Sequence, residues 1–239
     1  MGPIPSDDGE PRYFLDLYIC SYTPTLSALI RSRHHETVSR SLNRPSILLV
    51  AQLDPSLPNV RGEIKVLQDL DAEVSTLISE SATPAAVIDG FYHHQFVHFA
   101  CHGSLEAGKP FEASFELYGN ARLTLLEILR SNLPAAEFAF LSACHTAEMT
   151  EGRNMDEGLH LAAAVQYCGF RSVVWTMWAM ADIDGRDLAK YFYKELFYDS
   201  RGTPYHEKST KALQFTVKKL RRKRGVTLER WVNFVHYDA

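Results

Sequence analysis

The sequence predicts an α/β fold built on a mostly parallel sheet, and three observations carry that prediction. Four short apolar runs, Ser46 to Gln52, Phe96 to Cys101, Glu137 to Ala143 and Ser172 to Trp178, are rich in Val, Ile, Leu and aromatic residues. Their hydrophobicity is continuous rather than alternating, as in strands buried on both faces. Stretches of helical character separate them, and strand-helix-strand repetition pairs the strands in parallel through right-handed crossovers. At 239 residues the chain has the length of one large domain.

Taken in order, residues 1–11, with three prolines, two glycines and three acidic side chains, are expected to be a flexible segment ahead of a domain spanning 12–239. Tyr13 to Tyr22 is apolar enough for a strand, and Thr23-Pro24 offers a cap and first turn for a helix running to about Arg33. After the first core strand, DPSLPNVRG is rich in turn formers. Ile64, Leu67, Leu70, Val74, Leu77 and Ile78 then form a stripe of period close to 3.6, which predicts a crossover helix over 62–80.

A shorter helix, capped by Thr83, runs from Pro84 to about His93 and leads into the second core strand. The loop GSLEAGKPFE, a brief extended piece ASFELYG and a helix from Thr124 to Arg130 follow. Beyond the third strand, TAEMTEGRNM reads as a surface loop, and Asp156 opens a helix that ends near Gly169. The fourth strand is followed by AMADIDG, the helix DLAKYFYKELF and a final helical pair that ends in WVNFVHYDA.

Two of the four core strands end on chemistry. His102 follows FVHFAC and Cys144 follows FAFLSA, 42 residues later. Residues just beyond the carboxyl ends of neighbouring parallel strands gather along one sheet edge, where open α/β sheets bind ligands. A cysteine attacks as its thiolate and needs a nearby imidazole to take the proton. Cys144 is therefore the candidate nucleophile and His102 the candidate general base and acid. Gly103, without a side chain, lets its N–H approach a substrate carbonyl and contribute to an oxyanion hole with the N–H of Cys144.

Other histidines compete less well for the role of base. His98 lies four residues before His102 in the same run and is expected to be covered by a helix. His145 adjoins the nucleophile, and adjacent side chains diverge on extended backbone. His93 and His94 end a helix, where a cation suits the macrodipole. The same divergence argues against a zinc site from Cys101, His102, Cys144 and His145, so neither metal nor cofactor is expected.

Asp182, Asp184 and Trp178 follow the fourth strand at the same edge. They are candidates for a substrate pocket, the two acids for a basic side chain, although helix capping explains Asp184 as well. Neither phosphate-binding glycine motif is present. The net charge of -4 gives no general reason to expect nucleic acid, and the cluster KKLRRKR reads as the solvated end of a helix. No apolar stretch has membrane-spanning length, the first residues lack the apolar core of a signal peptide, and the four cysteines form no CxxC pair. A cytoplasmic protein with reduced thiols is the expectation, with Cys20, Cys101 and Cys168 as small buried hydrophobes.

HFACHG, LSACHTA, the segment DEGLHLAAAVQYCGFRSVVWTMWAMAD, KYFYKELF and the closing WVNFVHY occur in that order. As a set they resemble the CHAT domain, a caspase-like, separase-related cysteine protease family, from about Tyr18 to the last residues. The resemblance implies a caspase-like three-layer α/β/α sandwich with a mostly parallel central sheet. It implies the roles of nucleophile for Cys144, base for His102 and oxyanion donor for Gly103, and puts Trp175 to Asp182 near the specificity pocket. Family members are often the C-terminal part of proteins with helical repeats such as TPRs, and their peptidase is often latent until a partner or signal reshapes it, sometimes in defence or cell death. A regulated cysteine endopeptidase excised from such a protein is one expectation; a catalytically silent interaction module of the same fold is the other. Where the family often has Gln or another polar residue after the cysteine, this chain has His145, and the loop beyond it lacks the usual glycines.

Overall fold

The computed structural model describes residues 13–23, 25, 30, 44–104, 112–131, 133, 136–142, 144–145, 156–178, 180–198 and 205–238, with backbone alone at 144–145, 156–161 and 206. Its main sheet has six strands: β1 (Ser46–Ala51), β2 (Glu73–Ile78), β3 (Phe96–Ala100), β7 (Phe138–Leu141), β9 (Ser172–Thr176) and β10 (Phe234–Asp238). Their order is β10-β9-β7-β3-β1-β2, and every neighbouring pair is parallel except β10 on β9. A second sheet of short strands, β4 (His102–Ser104), β5 (Ser114–Glu116), β6 (Arg122–Thr124) and β8 (Cys144–His145), runs in the order β6-β5-β4-β8.

Alternation along the central strands divides the core into two layers. Leu48, Val50, Val97, Phe99, Ala139, Leu141 and Val173 face one side, packed under α3 (Pro84–His93), α4 (Leu125–Arg130) and α5 (Asp156–Tyr167). Ile47, Leu49, Ala51, Phe96, Phe138, Phe140 and Val174 face the other, under α2 (Val60–Gln68), α6 (Asp182–Leu196), α7 (Tyr205–Arg221) and α8 (Leu228–Val232). Helices on both faces explain why the strands read as unbroken apolar runs. At Gly90 a Cβ would stand 2.6 Å from Leu48 Cδ2, so its hydrogen lets α3 lie close on β1.

Three sequence-based elements differ. The stripe over 62–80 is split: α2 ends at Gln68, Asp69 to Ala72 turn, and Glu73 to Ile78 form β2 at the edge of the sheet beside β1. Ile64 and Leu67 are buried on the inner face of the helix, whereas Val74 and Leu77 are only half-buried on an edge strand, a pattern that a single period of 3.6 matches by coincidence.

Tyr13 to Tyr22 is not a strand. Phe14–Leu17 is the short helix α1, because Asp16 accepts from the N–H of Tyr13 at 2.9 Å and closes the first turn, and only Tyr22 bridges to Tyr237 on β10. The last segment is helical only through Val232; Phe234 to Asp238 turn back as β10, antiparallel to β9. The helix expected after Thr23-Pro24 falls almost wholly outside the described residues, as does the loop 146–155. Cys101 and Cys168 are buried as expected; Cys20 is only partly covered, since the segment that carries it lies on the surface.

Among the described residues no helix is long and apolar enough to cross a membrane.

Candidate functional site

The two strands that carry His102 and Cys144 are continuations of neighbours in the main sheet. In that sheet Phe99 pairs with Leu141, and at its carboxyl edge the Ser142 N–H donates to the Phe99 carbonyl at 2.9 Å. Both chains then leave it for the second sheet, where β4 pairs with β8 in parallel and His102 lies opposite Cys144, Gly103 opposite His145. Partners differ by 42 residues on both sides of the break, 99 with 141 and 102 with 144. The register of the core strands is thus carried intact into the site. Residues directly opposite each other in a parallel pair share a face, with neighbouring strands about 4.8 Å apart. The side chains of Cys144 and His145 are outside the described residues.

β4 is held on its other side by β5, Gly103 opposite Phe115. Phe115 stacks on Phe99 with ring centroids 4.0 Å apart, which fastens the small sheet to the core beneath it.

The His102 ring is buried and its environment is specific. Nε2 lies 2.7 Å from Ser56 Oγ, and Ser56 donates from Oγ to Asp54 Oδ1 at 2.5 Å and from its backbone N–H to the same oxygen at 2.8 Å. Asp54 Oδ1 is itself 4.0 Å from Nε2. The hydrogen bonds from the Ser56 hydroxyl and N–H lower the Asp54 carboxyl below its ordinary value, and the nearby His102 adds to the effect. Nδ1 is buried with no hydrogen-bond partner among the described residues. Asp54 and Ser56 were not singled out in the sequence, where DPS reads only as a turn; the signal available was their position just past the carboxyl end of β1, the same edge as His102.

The other predicted residues lie on this edge too, engaged in bonds of their own. Asp182, at the start of α6, accepts at Oδ2 from the Asn59 N–H at 2.9 Å and from Asn59 Nδ2 at 2.6 Å. Asp184 is buried and accepts from Nε and Nη2 of the Arg230 guanidinium, at 2.8 and 2.6 Å. The Trp178 N–H donates to Asn233 Oδ1 at 2.9 Å, its indole Nε1 donates to the Glu229 carbonyl at 3.1 Å, and its carbonyl accepts from Asn233 Nδ2. These bonds favour the structural reading of both acids over a pocket for a basic side chain.

His98, the competing histidine, lies in the opposite layer: Nε2 is 2.6 Å from Glu63 Oε1 on α2 and Nδ1 is 2.9 Å from the Tyr193 hydroxyl on α6, all three side chains buried. Helices cover it, as the sequence reading expected, and burial raises the Tyr193 phenol well above its ordinary value.

The site is thus a parallel-sheet edge, flanked by helices on both faces and continued into a small sheet in which His102 lies opposite Cys144. The model of the CHAT domain matches residues 4–238. The chain belongs to the CHAT domain family. No curated protein sequence matches this CHAT domain. Among solved structures it is similar to the Arg-specific cysteine proteinase gingipain R, with a TM-score of 0.60 and 13% identity over 89% of this chain and 51% of that one. The complex of pro- and mature domains of the Porphyromonas gingivalis enzyme matches at a TM-score of 0.56 and 12% identity, covering 88% and 51%. The Saccharomyces cerevisiae separase-securin complex matches at 0.53 and 15%, covering 91% of this chain and 14% of that one. At such identities the likeness is one of fold: the CHAT domain has the caspase-like architecture of these proteases. It spans about half the length of the gingipain chains and a seventh of the separase chain.

Proposed function

We propose that this CHAT domain is a cysteine endopeptidase in which Cys144 is the nucleophile and His102 the general base and acid. The observation that carries the reading is the pairing of His102 opposite Cys144 across β4 and β8. His102 takes the thiol proton, the Cys144 sulfur bonds to the scissile carbonyl carbon, and the developing oxyanion is met by the N–H groups of Gly103 and Cys144. The C–N bond breaks as His102 returns the proton to the leaving amine; water, deprotonated by the same imidazole, then hydrolyses the thioester and frees the sulfur.

Trp178, fixed by Asn233 and Glu229 at the same edge, is the proposed pocket wall. The substrate is a protein or peptide, and a second protein or domain governs access to the site. Two of the structural neighbours are complexes with a pro-domain and with securin, and relatives of this fold carry far more chain than the part matched here. TPR-like repeats are the proposed regulatory partner, in a reducing, cytoplasmic setting.

The test is an electrophilic peptide probe applied with a library of peptide substrates. Wild type is expected to label at Cys144 and to cleave; Cys144→Ala and His102→Ala are expected to lose at least a thousandfold of the cleavage rate. Cleavage that survives in Cys144→Ala removes the assignment.

A further inference from the structure

The proton accounting around His102 is closed on one side of the ring and open on the other. Ser56 has a single hydroxyl hydrogen, and at 2.5 Å from Asp54 Oδ1 that hydrogen is committed to the carboxylate, which has no proton to give at neutral pH. The contact of 2.7 Å between Ser56 Oγ and Nε2 then needs its hydrogen from the imidazole. A neutral imidazole carries one N–H, so placing it on Nε2 leaves a lone pair on Nδ1, the buried nitrogen with no partner among the described residues.

We infer that Asp54, acting through the Ser56 hydroxyl, is the positioning group that holds His102 in its Nε2–H form, making Nδ1 the atom that exchanges the proton with Cys144. The first clause stands on the hydrogen bonds alone; the last rests on the peptidase reading above. Asp54 and Ser56 touch neither substrate nor nucleophile in this scheme. Their effect is to fix the ring plane and tautomer, and, when Nδ1 gains a proton, to face the resulting cation with a carboxylate 4.0 Å away. The lowered Asp54 carboxyl agrees with a group that stays ionised while it accepts both Ser56 bonds.

The loop that carries the relay is anchored at both ends. The Gln52 N–H donates to the Ala100 carbonyl at 3.1 Å, and Asn59 is bound by Asp182 at the start of α6. Asp182 thereby gains a role that the substrate-pocket reading does not require: it ties the relay loop to the segment that follows β9.

Two measurements decide the matter. The first is a two-bond proton–nitrogen spectrum of the full chain with labelled histidine, in alkaline buffer where ordinary imidazoles are neutral, the His102 signals assigned by their loss in His102→Gln. The pattern of an Nε2–H, Nδ1-lone-pair ring is expected in wild type and in Ser56→Thr, which keeps the hydroxyl, with a mixed pattern in Ser56→Ala and Asp54→Asn. A His102 ring protonated at Nδ1 in wild type overturns the inference.

The second is steady-state kinetics on a peptide that the wild type cleaves. Ser56→Ala and Asp54→Asn are expected to lower kcat at least tenfold with KM within twofold, and Ser56→Thr to restore most of the loss. An unchanged kcat in Ser56→Ala overturns the positioning role. If wild type cleaves nothing, the peptidase reading fails by itself, while the spectrum still decides which ring nitrogen carries the proton beside Ser56 and Asp54.

Discussion

A fully buried histidine is costly to leave without its hydrogen-bond acceptor, and His98 beside Glu63 is such a case. Replacing Glu63 by Ala leaves His98 Nε2 without its acceptor in a fully covered site, an expected loss of about 1–3 kcal/mol by urea unfolding. Glu63→Gln, whose amide oxygen still accepts from the ring, should lose less; equal losses in the two variants would mean that packing rather than the hydrogen bond decides. Asp184 offers the matching test for the pocket. Asp184→Ala strands the Arg230 guanidinium and is expected to cost about 1–3 kcal/mol while leaving the cleaved sequence unchanged. A lost preference for basic residues in that variant would restore Asp184 to the substrate pocket. At this scale the strand-end positions of His102 and Cys144 were legible as the limits of apolar runs, and the structure sets the two opposite each other. The sequence was silent on Ser56 and Asp54, since a DPS turn is common and its value here comes from a histidine 46 residues away in sequence.

Among the elements, the strands were legible and the sheet edges were not. Buried central strands announce themselves by continuous apolar residues, whereas β2 and β10 sit at edges, half-covered or antiparallel, and their composition is compatible with the helices expected there. The second sheet was seen only as one extended piece, because strands of two or three residues carry no period that a sequence can display. The end of α5 gives an element-scale prediction. Gly169 has φ +137, and a Cβ there would stand 2.3 Å from the Leu133 carbonyl oxygen, which belongs to the chain crossing beneath. Gly169→Ala is therefore expected to destabilise the domain by about 1–3 kcal/mol, seen as a lowered Tm. An unchanged Tm would mean that the turn after α5 can move away at no cost.

For the molecule as a whole, the first and last described segments are joined. Asp16 on α1 receives both arms of Arg221 at the end of α7 at 2.9 Å, and the same guanidinium lies over the rings of Tyr13 and Trp231. Arg221→Ala is expected to release 13–22 to limited proteolysis while the strands of the main sheet keep their hydrogen-exchange protection; unchanged cutting in this stretch would show that its apolar contacts suffice. The Arg221 hydrogen bonds hold the Asp16 carboxyl below its ordinary value, as the Ser56 bonds do for Asp54. A depressed carboxyl contributes stability that is complete above the unfolded value of about 3.9 and is lost as the pH falls through the lowered folded value. Acid unfolding followed by circular dichroism should accordingly shift to higher pH in Asp16→Asn, which lacks that stabilisation at every pH.

By itself the sequence determined the α/β class, the parallel core and the candidate pair, because burial on both faces and the ends of strands are written locally in side-chain type. Only the tertiary structure decided which strand becomes whose neighbour, and with it the register that sets residue 102 opposite residue 144 and the loop that brings Asp54 and Ser56 to the imidazole. Hydrogen bonds between segments far apart in the chain depend on how layers pack. No local period records that packing, so the candidate base could be picked out from sequence while the groups bonded to its ring could not.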